Sequence, residues 1–295
     1  MNEPVIALVA GDPSGVGPEL VAHALENPPE GVRFEVIGDP SPLHPGNPSP
    51  MGSRRAIAAL EESARRAVAG SIAAVVTAPV SKKHLHEAGF AFPGQTEFFA
   101  ARAGVENFAM LLTGGPLTVA LVTAHVPLRE VAEILSTAEI MRVGGLLAGF
   151  LRRRGIATPR IAVAGFNPHA GEQGDLGDEE GRVIQPALPL LSEAHPGVSF
   201  VGPFSPDTVF WRAANGEFDG VLCMYHDQGL IPLKLLGFHD GVNVTLGLPF
   251  VRTSPDHGTA YDLAGTGKAR PESFLSAVRL AAELVTASNQ VLSLE

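Results

Sequence analysis

Six segments of the chain share one pattern, in which a short run of β-branched or aliphatic residues breaks into small and polar residues. They are residues 5–15, 71–82, 117–125, 160–169, 220–229 and 242–254. Continuous apolar runs of this length are typical of strands in sheets covered on both faces. Helical patterns lie between them, at residues 54–70, 129–155 and 272–288, and the Pro-, Gly- and Ser-rich residues 39–53 are expected to form a surface loop. The alternation predicts an α/β protein with mostly parallel strands.

Composition narrows the class of protein. With 295 residues and 45% hydrophobic content, the chain is long enough for a substantial core and for two domains that share a cleft. The formal net charge of −10, without any block of Lys or Arg, argues against nucleic-acid partners and against an anionic membrane surface. Cys223 is the single cysteine, so no internal disulfide is possible. No secretion signal or long apolar run is evident, and a soluble cytoplasmic protein is expected.

Three of the ten histidines, His125, His169 and His226, lie at or just past the end of an apolar run. In open α/β sheets, ligands collect beyond the carboxyl ends of the strands. Three neutral imidazoles with an open position are a usual catalytic site for zinc or a similar divalent ion. A single histidine of this kind is more often structural, whereas the coincidence of three favours a shared site, so both interpretations stand on the residues alone. Six others are expected in exposed loops: His23, His44, His84, His86, His195 and His239.

Carboxylates accompany these histidines. Asp227 follows His226, and Asp207 lies in GPFSPDTVF; each is available as an acceptor behind a metal ligand or as a proton-transfer group. Asp207 could instead cap a helix that begins at Thr208. Glu172 could cap a turn or support the site. The acidic residues that follow it are expected at the solvated start of a helix: Asp175, Asp178, Glu179 and Glu180.

Four cations are candidate anchors for an anionic ligand: Lys82, Lys83, Lys234 and Arg252. Arg252 ends an apolar run and precedes two hydroxyl residues, where a planar guanidinium could bind phosphate or carboxylate with two hydrogen bonds. Lys234 lies in an otherwise apolar segment and points either to such a ligand or out to solvent.

Two motifs carry a resemblance to known enzymes. GDPSGVGPE at residues 11–19 resembles the GDGIGPE start of the isocitrate and isopropylmalate dehydrogenases, and HGTAYDLAGTGKA at residues 257–269 resembles the loop with which they hold the adenosine part of NAD. Between them, TAPVSK, GQTEFFA, TAHVPL, NPHAGE, GPFSPDT, YHDQGLIPLK and GVNVTLGLPFVRTSPDHGTA resemble the 4-hydroxythreonine-4-phosphate dehydrogenase family of pyridoxal phosphate biosynthesis. The resemblance covers nearly the whole chain.

The resemblance implies a two-domain isocitrate/isopropylmalate dehydrogenase-like α/β fold with mostly parallel sheets and a cleft between the domains. We expect residues 1–98 and 247–295 to form the cofactor-side domain, and residues 99–246 to form the domain for metal, substrate and dimerisation. The implied activity is NAD- or NADP-dependent oxidation of the C3 hydroxyl of 4-phosphooxy-L-threonine, assisted by one divalent ion (zinc, cobalt or magnesium), and decarboxylation to 3-amino-2-oxopropyl phosphate.

Site residues follow from the same resemblance, position by position. The implied metal ligands are His125, His169 and His226. The implied substrate-binding residues are Gln95, Thr96, Lys234, Asn243 and Arg252. The implied cofactor-binding residues are His257, Gly258, Thr259, Ala260 and Asp262. Asp207, Asp227 and Lys234 are expected to serve catalysis. The family is dimeric, so His226 is expected to reach a metal bound by the other two histidines of the partner chain, in a homodimer with its site at the subunit interface.

Gln95 departs from the family pattern, because a histidine usually precedes the threonine of GHTEF. A glutamine amide donates and accepts hydrogen bonds but cannot become cationic or carry a proton at neutral pH. Oxidation of 4-phosphothreonate or 4-phosphoerythronate is therefore the alternative activity. From another class, a metal-dependent lyase or phosphohydrolase on a sugar phosphate, or a phospho-ligand binder without catalysis, fits the same residues, and the HGTAYDLAG loop counts against both.

Overall fold

The structure is a computed structural model that describes residues 3–292, with side chains described as far as residue 287. The chain forms two compact units. Unit 1 comprises the described residues up to Glu106 and from Val242 onward, and unit 2 comprises Asn107–Gly241. Each unit contains a mostly parallel sheet with helices, which confirms the predicted α/β class.

The strands, in chain order, are β1 Val5–Val9, β2 Arg33–Ile37, β3 Ala74–Thr77, β4 Ala109–Gly114, β5 Leu117–Leu121, β6 Arg160–Ala164, β7 Ser199–Phe204, β8 Gly220–Cys223, β9 Val242–Leu246 and β10 Val251–Pro255. The helices are α1 Gly17–Glu26, α2 Pro50–Val68, α3 Lys82–Glu87, α4 Gln95–Ala103, α5 Leu128–Ile134, α6 Thr137–Arg153, α7 Gln185–Ala194, α8 Pro206–Ala214, α9 His226–Leu236 and α10 Glu272–Leu292.

In unit 1 the strand order is β2-β1-β3-β10-β9, with only β9 running antiparallel to its neighbour β10. The strands β1 and β3 are almost completely buried, as their unbroken apolar sequences predict. Phenylalanines from α4 and the flanking loops pack edge to face beside them: Phe90, Phe92, Phe98, Phe99 and Phe250. This core fixes the carboxyl ends of β1 and β3 and the start of α4.

In unit 2 the strand order is β4-β5-β8-β6-β7. β4 and β5 form an antiparallel hairpin, and the remaining neighbours are parallel. Gly115, with φ of +52°, makes the tight turn of this hairpin, and a β-carbon there would lie 2.9 Å from the Leu236 carbonyl oxygen. Because β5, β8 and β6 are parallel neighbours, their carboxyl ends lie side by side.

Several elements differ from the sequence expectations. The apolar segment 242–254 forms β9 and β10, because Gly247 adopts a φ of +89° and turns the chain between them. The helical pattern at 129–155 breaks into α5 and α6, since Ser136 is an extended N-cap whose hydroxyl accepts from the Glu139 amide. The helix α2 begins at Pro50, inside the expected loop, and Ser49 caps it.

Within residues 3–292, no single helix combines the length and apolar content needed to cross a membrane. Only α5 and α6 counted together, although bent by 99°, meet that criterion by length and composition.

Candidate active site

Two of the strand-end histidines lie side by side in unit 2. His125 follows β5 with a left-handed φ of +52°, and His226 opens α9 just beyond β8, the parallel neighbour of β5. Their ring centroids are 5.4 Å apart. Both rings border a cavity of about 210 Å³, which is lined by Thr123, Ala124, His125, Val126, Leu128, Val131, Tyr225, His226 and Asp227. As the sequence predicts, both residues follow the ends of strands, and those strands are parallel neighbours.

Asp227 fixes the orientation of the His226 ring. Its Oδ1 lies 2.7 Å from His226 Nδ1. A carboxylate accepts, so the proton is assigned to Nδ1, and Nε2 keeps the lone pair that a metal ion requires. The carboxylate therefore has the place that sequence reasoning gave it, directly behind a candidate ligand.

His169 lies elsewhere in unit 2, in the turn Pro168–Gly174 after β6. From His169 to Gln173, five consecutive residues have left-handed φ angles between +44° and +79°. In residues 3–292 of the single chain, no three or more His, Cys, Asp or Glu side chains are grouped so as to hold a metal ion. The structure thus brings together His125 and His226 and leaves His169 apart from them.

Glu180 supports this left-handed turn, and sequence reasoning missed it. The prediction of a solvated acidic helix start is wrong for Glu180, which is 4% exposed at the start of a short π-helical segment. Its carboxylate accepts hydrogen bonds from the backbone amides of Phe166 and Asn167, both at 2.7 Å, and from Asn167 Nδ2 at 3.0 Å. The adjacent Glu179 accepts from the same Asn167 amide at 2.7 Å. Glu172, by contrast, is exposed within the turn.

Asp207 belongs to the first turn of α8, and the prediction that it caps a helix starting at Thr208 is wrong. The helix begins at Pro206, and Ser205 occupies the N-cap position. The Ser205 hydroxyl donates to Asp207 Oδ1, which lowers the pKa of that carboxyl. Asp207 is therefore an ionised neighbour of the His169 turn.

Arg252 is the most buried of the predicted substrate-binding residues, with 3% of its surface exposed. Its Nη2 donates to Thr77 Oγ1 at 2.9 Å and to Gln95 Oε1 at 3.0 Å, and its Nη1 donates to Thr245 Oγ1 at 3.2 Å. These partners are neutral. Burial lowers the pKa of Arg252 to about 10, opposed by the negative charge of Glu97, so the guanidinium stays cationic at neutral pH.

Two buried polar atoms on the neighbouring strands β9 and β10 lack protein partners. Among the described residues, Arg252 Nε and Asn243 Oδ1 are the buried side-chain atoms without a hydrogen bond. Buried polar groups are rarely left unpaired, so such atoms point to a ligand or water. Thr96 adds a hydroxyl, since its Oγ1 lies 3.4 Å from Thr245 Oγ1. The cluster offers a cation, an acceptor and hydroxyls, a set suited to a phosphorylated, hydroxylated molecule.

The other candidate cations differ in their surroundings. Lys234 lies on α9 in unit 2 and is half-buried. Lys82 and Lys83 are exposed at the start of α3. The segment from His226 to Lys234 is helical, because α9 runs through both residues.

The predicted cofactor loop packs on the glycine-rich loop after β1. The Val16 amide donates to the Thr259 carbonyl at 3.0 Å, and a β-carbon on Gly15 would lie 2.7 Å from that oxygen. Ala260 adopts a φ of +42°. His257, Gly258 and Asp262 are exposed. The two motifs that carried the resemblance are therefore neighbours within unit 1.

Tyr261 completes this contact, and the sequence gave no separate signal for it. Its hydroxyl donates to Asp12 Oδ2 at 2.6 Å and lies 3.0 Å from His84 Nδ1. Burial, with the hydrogen bond to Asp12, raises the pKa of Tyr261 to about 12. The expectation of exposed loop positions is wrong for His84, which lies half-buried on α3, and for His23 and His86, which lie on helices.

The fold of this chain is shared with a known class of protein. The fold is that of the isocitrate dehydrogenases: the solved structure of isocitrate dehydrogenase from Methylococcus capsulatus matches with a TM-score of 0.55, over 98% of this chain and 89% of that one. At 13% identity this likeness concerns the fold alone. It confirms the isocitrate dehydrogenase-like fold predicted from the two motifs.

The particular family follows from closer matches. A family model described as "Pyridoxal phosphate biosynthetic protein PdxA" matches residues 19–281, and the chain belongs to this family. It is 43% identical to a 4-hydroxythreonine-4-phosphate dehydrogenase of Desulfosudis oleivorans over 94% of this chain and 95% of that relative. It is 40% identical to a D-threonate 4-phosphate dehydrogenase of Salmonella typhimurium over 96% of this chain and 100% of that relative. The solved 4-hydroxythreonine-4-phosphate dehydrogenase from Klebsiella pneumoniae has a TM-score of 0.80 at 39% identity, covering 96% of this chain and 99% of that one.

Proposed function

We propose that this protein oxidises the C3 hydroxyl of 4-phosphooxy-L-threonine with NAD or NADP and that the product loses CO₂ to give 3-amino-2-oxopropyl phosphate. The observation that carries the proposal is the Arg252 cluster: a fully buried cation with neutral partners and an unpaired Nε. A desolvated guanidinium of this kind is stabilised when an oxyanion binds. Membership of the PdxA family supports the choice of a phosphorylated amino acid.

In the proposed complex, Arg252 and Thr96 bind an anionic group of the substrate, and Asn243 Oδ1 accepts from its ammonium or hydroxyl group. Lys234 is proposed to bind a second anionic group. Binding of an anionic group restricts rotation of the substrate and aligns the C3 hydrogen for transfer.

Three histidines are proposed to hold one divalent ion: His125, His169 and His226. The residues fit such an ion. The Asp227 carboxylate leaves His226 Nε2 free of its proton. The chemistry that a bound ion supplies is Lewis acidity toward the C3 hydroxyl and stabilisation of negative charge on that oxygen.

A catalytic carboxylate and a dinucleotide site are proposed from the sequence resemblance. Asp207, beside the His169 turn, is proposed to neutralise charge there or to take up a proton. His257, Gly258, Thr259, Ala260 and Asp262 are proposed to bind the adenosine part of the dinucleotide, which supplies the hydride acceptor. The close contact between this loop and residues 15–16 supports the assignment, because it fixes the loop without occupying its exposed side chains.

A second candidate substrate is D-threonate 4-phosphate, and Gln95 is the observation that favours it. The Gln95 carbonyl oxygen accepts from Arg252, so the amide NH₂ of Gln95 is left as a neutral donor. A neutral donor at this place can bind a hydroxy acid as well as an amino acid. The relative of Salmonella typhimurium that is named for D-threonate 4-phosphate matches 96% of this chain.

The test is a rate comparison with purified protein, NAD or NADP, and zinc, cobalt or magnesium, read by absorbance of the reduced cofactor. We expect turnover of 4-phosphooxy-L-threonine with CO₂ release. Turnover of D-threonate 4-phosphate or 4-phosphoerythronate alone would reject the first substrate and favour the second candidate. Binding of these phosphates without any affinity for either dinucleotide would reject a dehydrogenase altogether.

The protein is further proposed to act in the cytoplasm as a homodimer in which one of the three histidines reaches the ion of the partner subunit. An apolar surface on α9 supports a dimer through unit 2: Ile231, Leu235 and Leu236 are 66%, 82% and 50% exposed.

A further inference from the structure

A buried chain of hydrogen bonds crosses the ends of three neighbouring strands in unit 2. Thr123 Oγ1 donates to the Met224 carbonyl at 2.8 Å, the Met224 amide donates to Gln228 Oε1 at 2.7 Å, and Gln228 Nε2 donates to the Gly165 carbonyl at 2.6 Å. We refer to Thr123, Met224, Gln228 and Gly165 as the strand-end chain. It begins after β5, passes over β8 and ends after β6.

Each of the three histidines lies a few residues from a member of this chain. His125 is two residues beyond Thr123, His226 lies midway between Met224 and Gln228, and His169 is four residues beyond Gly165. Backbone hydrogen bonds continue between the segments after β5 and β8, since the amides of Val122 and Thr123 donate to the carbonyls of Cys223 and Met224 at 2.8 and 3.2 Å. The Thr123 hydroxyl adds to this pairing, and the Gln228 side chain extends the cross-links to Gly165 after β6.

The amide of Gln228 can satisfy this arrangement in one orientation only. Its oxygen faces a backbone N–H and its nitrogen faces a backbone C=O, so a flipped amide would place like groups against each other. Gln228 and Thr123 are each 6% exposed, and Met224 is fully buried. In such surroundings water does not replace a lost partner, so these hydrogen bonds hold one geometry.

We propose that Gln228 is a positioning residue which, together with Thr123, sets the placement of His125, His169 and His226 and thereby the affinity for a divalent ion. The inference rests on the proposed metal site. Gln228 touches neither substrate nor cofactor in this role; it acts through the backbones of the three loops.

The test compares Gln228→Met and Thr123→Val with Thr118→Val in the full chain. Thr118 is the matched control. It lies near the start of β5, whereas Thr123 follows the end of that strand. Thr118 is 9% exposed, and its hydroxyl lies 2.9 Å from Thr113 Oγ1. Cobalt affinity is measured on metal-free protein by competition with a chromophoric chelator, with the visible absorption of the bound cobalt. We expect affinity to fall about 10-fold or more in the first two variants, the scale found when support of a ligand is lost, and to be unchanged in the control.

A second comparison guards against a general loss of folding. Thr123→Ser keeps the donating hydroxyl, so it should retain the cobalt affinity and spectrum that Thr123→Val loses. If Gln228→Met fails to fold, the Thr123 pair decides the outcome. Gln228→Met or Thr123→Val with unchanged cobalt affinity and spectrum, even at a lower melting temperature, overturns the positioning role. Failure of the unaltered protein to bind cobalt overturns the proposed metal site and this inference with it.

Discussion

Arg252 is a desolvated cation whose direct partners are neutral. Burial lowers its pKa to about 10, which means that the folded chain spends free energy to keep the charge away from water. The same burial makes the charge more effective toward a bound anion, because the effective dielectric constant is low. Stability is thus lowered at the residue where the binding of phosphate or carboxylate is proposed.

Replacing Arg252 by Met tests both sides of this argument. We expect the KM for the phosphorylated substrate to rise about 100-fold, because a buried charge partner is lost, with little change in the KM for the dinucleotide. The ligand-free protein should keep or increase its melting temperature, since an uncompensated buried charge is removed. Lys83→Met, at an exposed position, is the control. Equal changes in both KM values would contradict the assignment.

Tyr261 gives a prediction with a defined pH range. Its pKa is raised to about 12 by burial and by Asp12, whereas an unfolded tyrosine ionises near 10. The folded state favours the neutral phenol, so the stability that Tyr261 contributes is complete below about pH 10 and is lost as pH rises through about 12. The difference in urea midpoint between the unaltered protein and Tyr261→Phe should therefore shrink from about pH 10 to 12. Parallel curves across this range would contradict the shift.

At the scale of elements, the left-handed turn Pro168–Gly174 requires outside support. Non-glycine residues adopt left-handed φ angles at an energetic cost, and this turn contains four of them in sequence positions 169–173. Glu180 supplies the support, because its buried carboxylate accepts from two backbone amides and one side-chain amide at the start of the turn. The turn and the π-helical segment are therefore one structural element.

Glu180→Ala should lower the free energy of unfolding of this region by about 2–4 kcal/mol, because three donors lose a buried acceptor. Hydrogen exchange of the amides in residues 166–174 should accelerate in the same variant. Asp178→Ala is the matched control two residues away; its carboxylate is exposed and lies 3.5 Å from Arg182, so little change is expected. Similar exchange rates in the two variants would show that Glu180 does not hold the turn.

The sequence predicted elements where one local signal dominates. Unbroken apolar runs identified β1, β3, β5, β6 and β8, since a strand buried on both faces leaves little other choice. The sequence carries no clear local signal where tertiary contacts determine the secondary structure. The segment 226–236 contains Gly229 and Pro232, which disfavour a helix, yet it is helical because packing of Leu230 and Leu233 on the sheet outweighs propensity.

Within the candidate site, residues with a local sequence signal could be predicted, whereas residues defined by contacts in the folded chain could not. His125 and His226 could be paired because parallel strand ends meet at one edge. The neutral partners of Arg252 could not be found, because Thr77 and Thr245 are distant in sequence and hydroxyl residues are common. Glu180 was misassigned since an acidic run at a helix start is usually solvated. Charge patterns report local preference, whereas burial depends on the folded chain.

At the scale of the whole molecule, α9 has an exposed apolar face that packing within one chain does not cover. Leu230 and Leu233 of this helix are buried, while Ile231, Leu235 and Leu236 on its other side are exposed, and Phe238 just beyond it is 69% exposed. Apolar residues grouped on one surface are typical of protein interfaces. The helix begins at His226, so a partner that covers this face would lie beside a proposed metal ligand.

A mixture of two inactive variants tests whether the histidines combine across a homodimer. If His125 and His169 of one subunit join His226 of its partner, then His125→Ala and His226→Ala chains each form inactive homodimers, but a mixed dimer contains one complete site. Unfolding and refolding the two together should restore about a quarter of the unaltered activity, since half of the dimers are mixed and each has one of two sites intact. His125→Ala mixed with His169→Ala is the control and should stay inactive, because both ligands come from the same subunit in this arrangement. Recovery only in the second mixture would instead join His125 and His226 of one subunit, whose rings are neighbours, to His169 of its partner. No recovery in either mixture, with mixed dimers verified by mass, would place all three ligands in one chain.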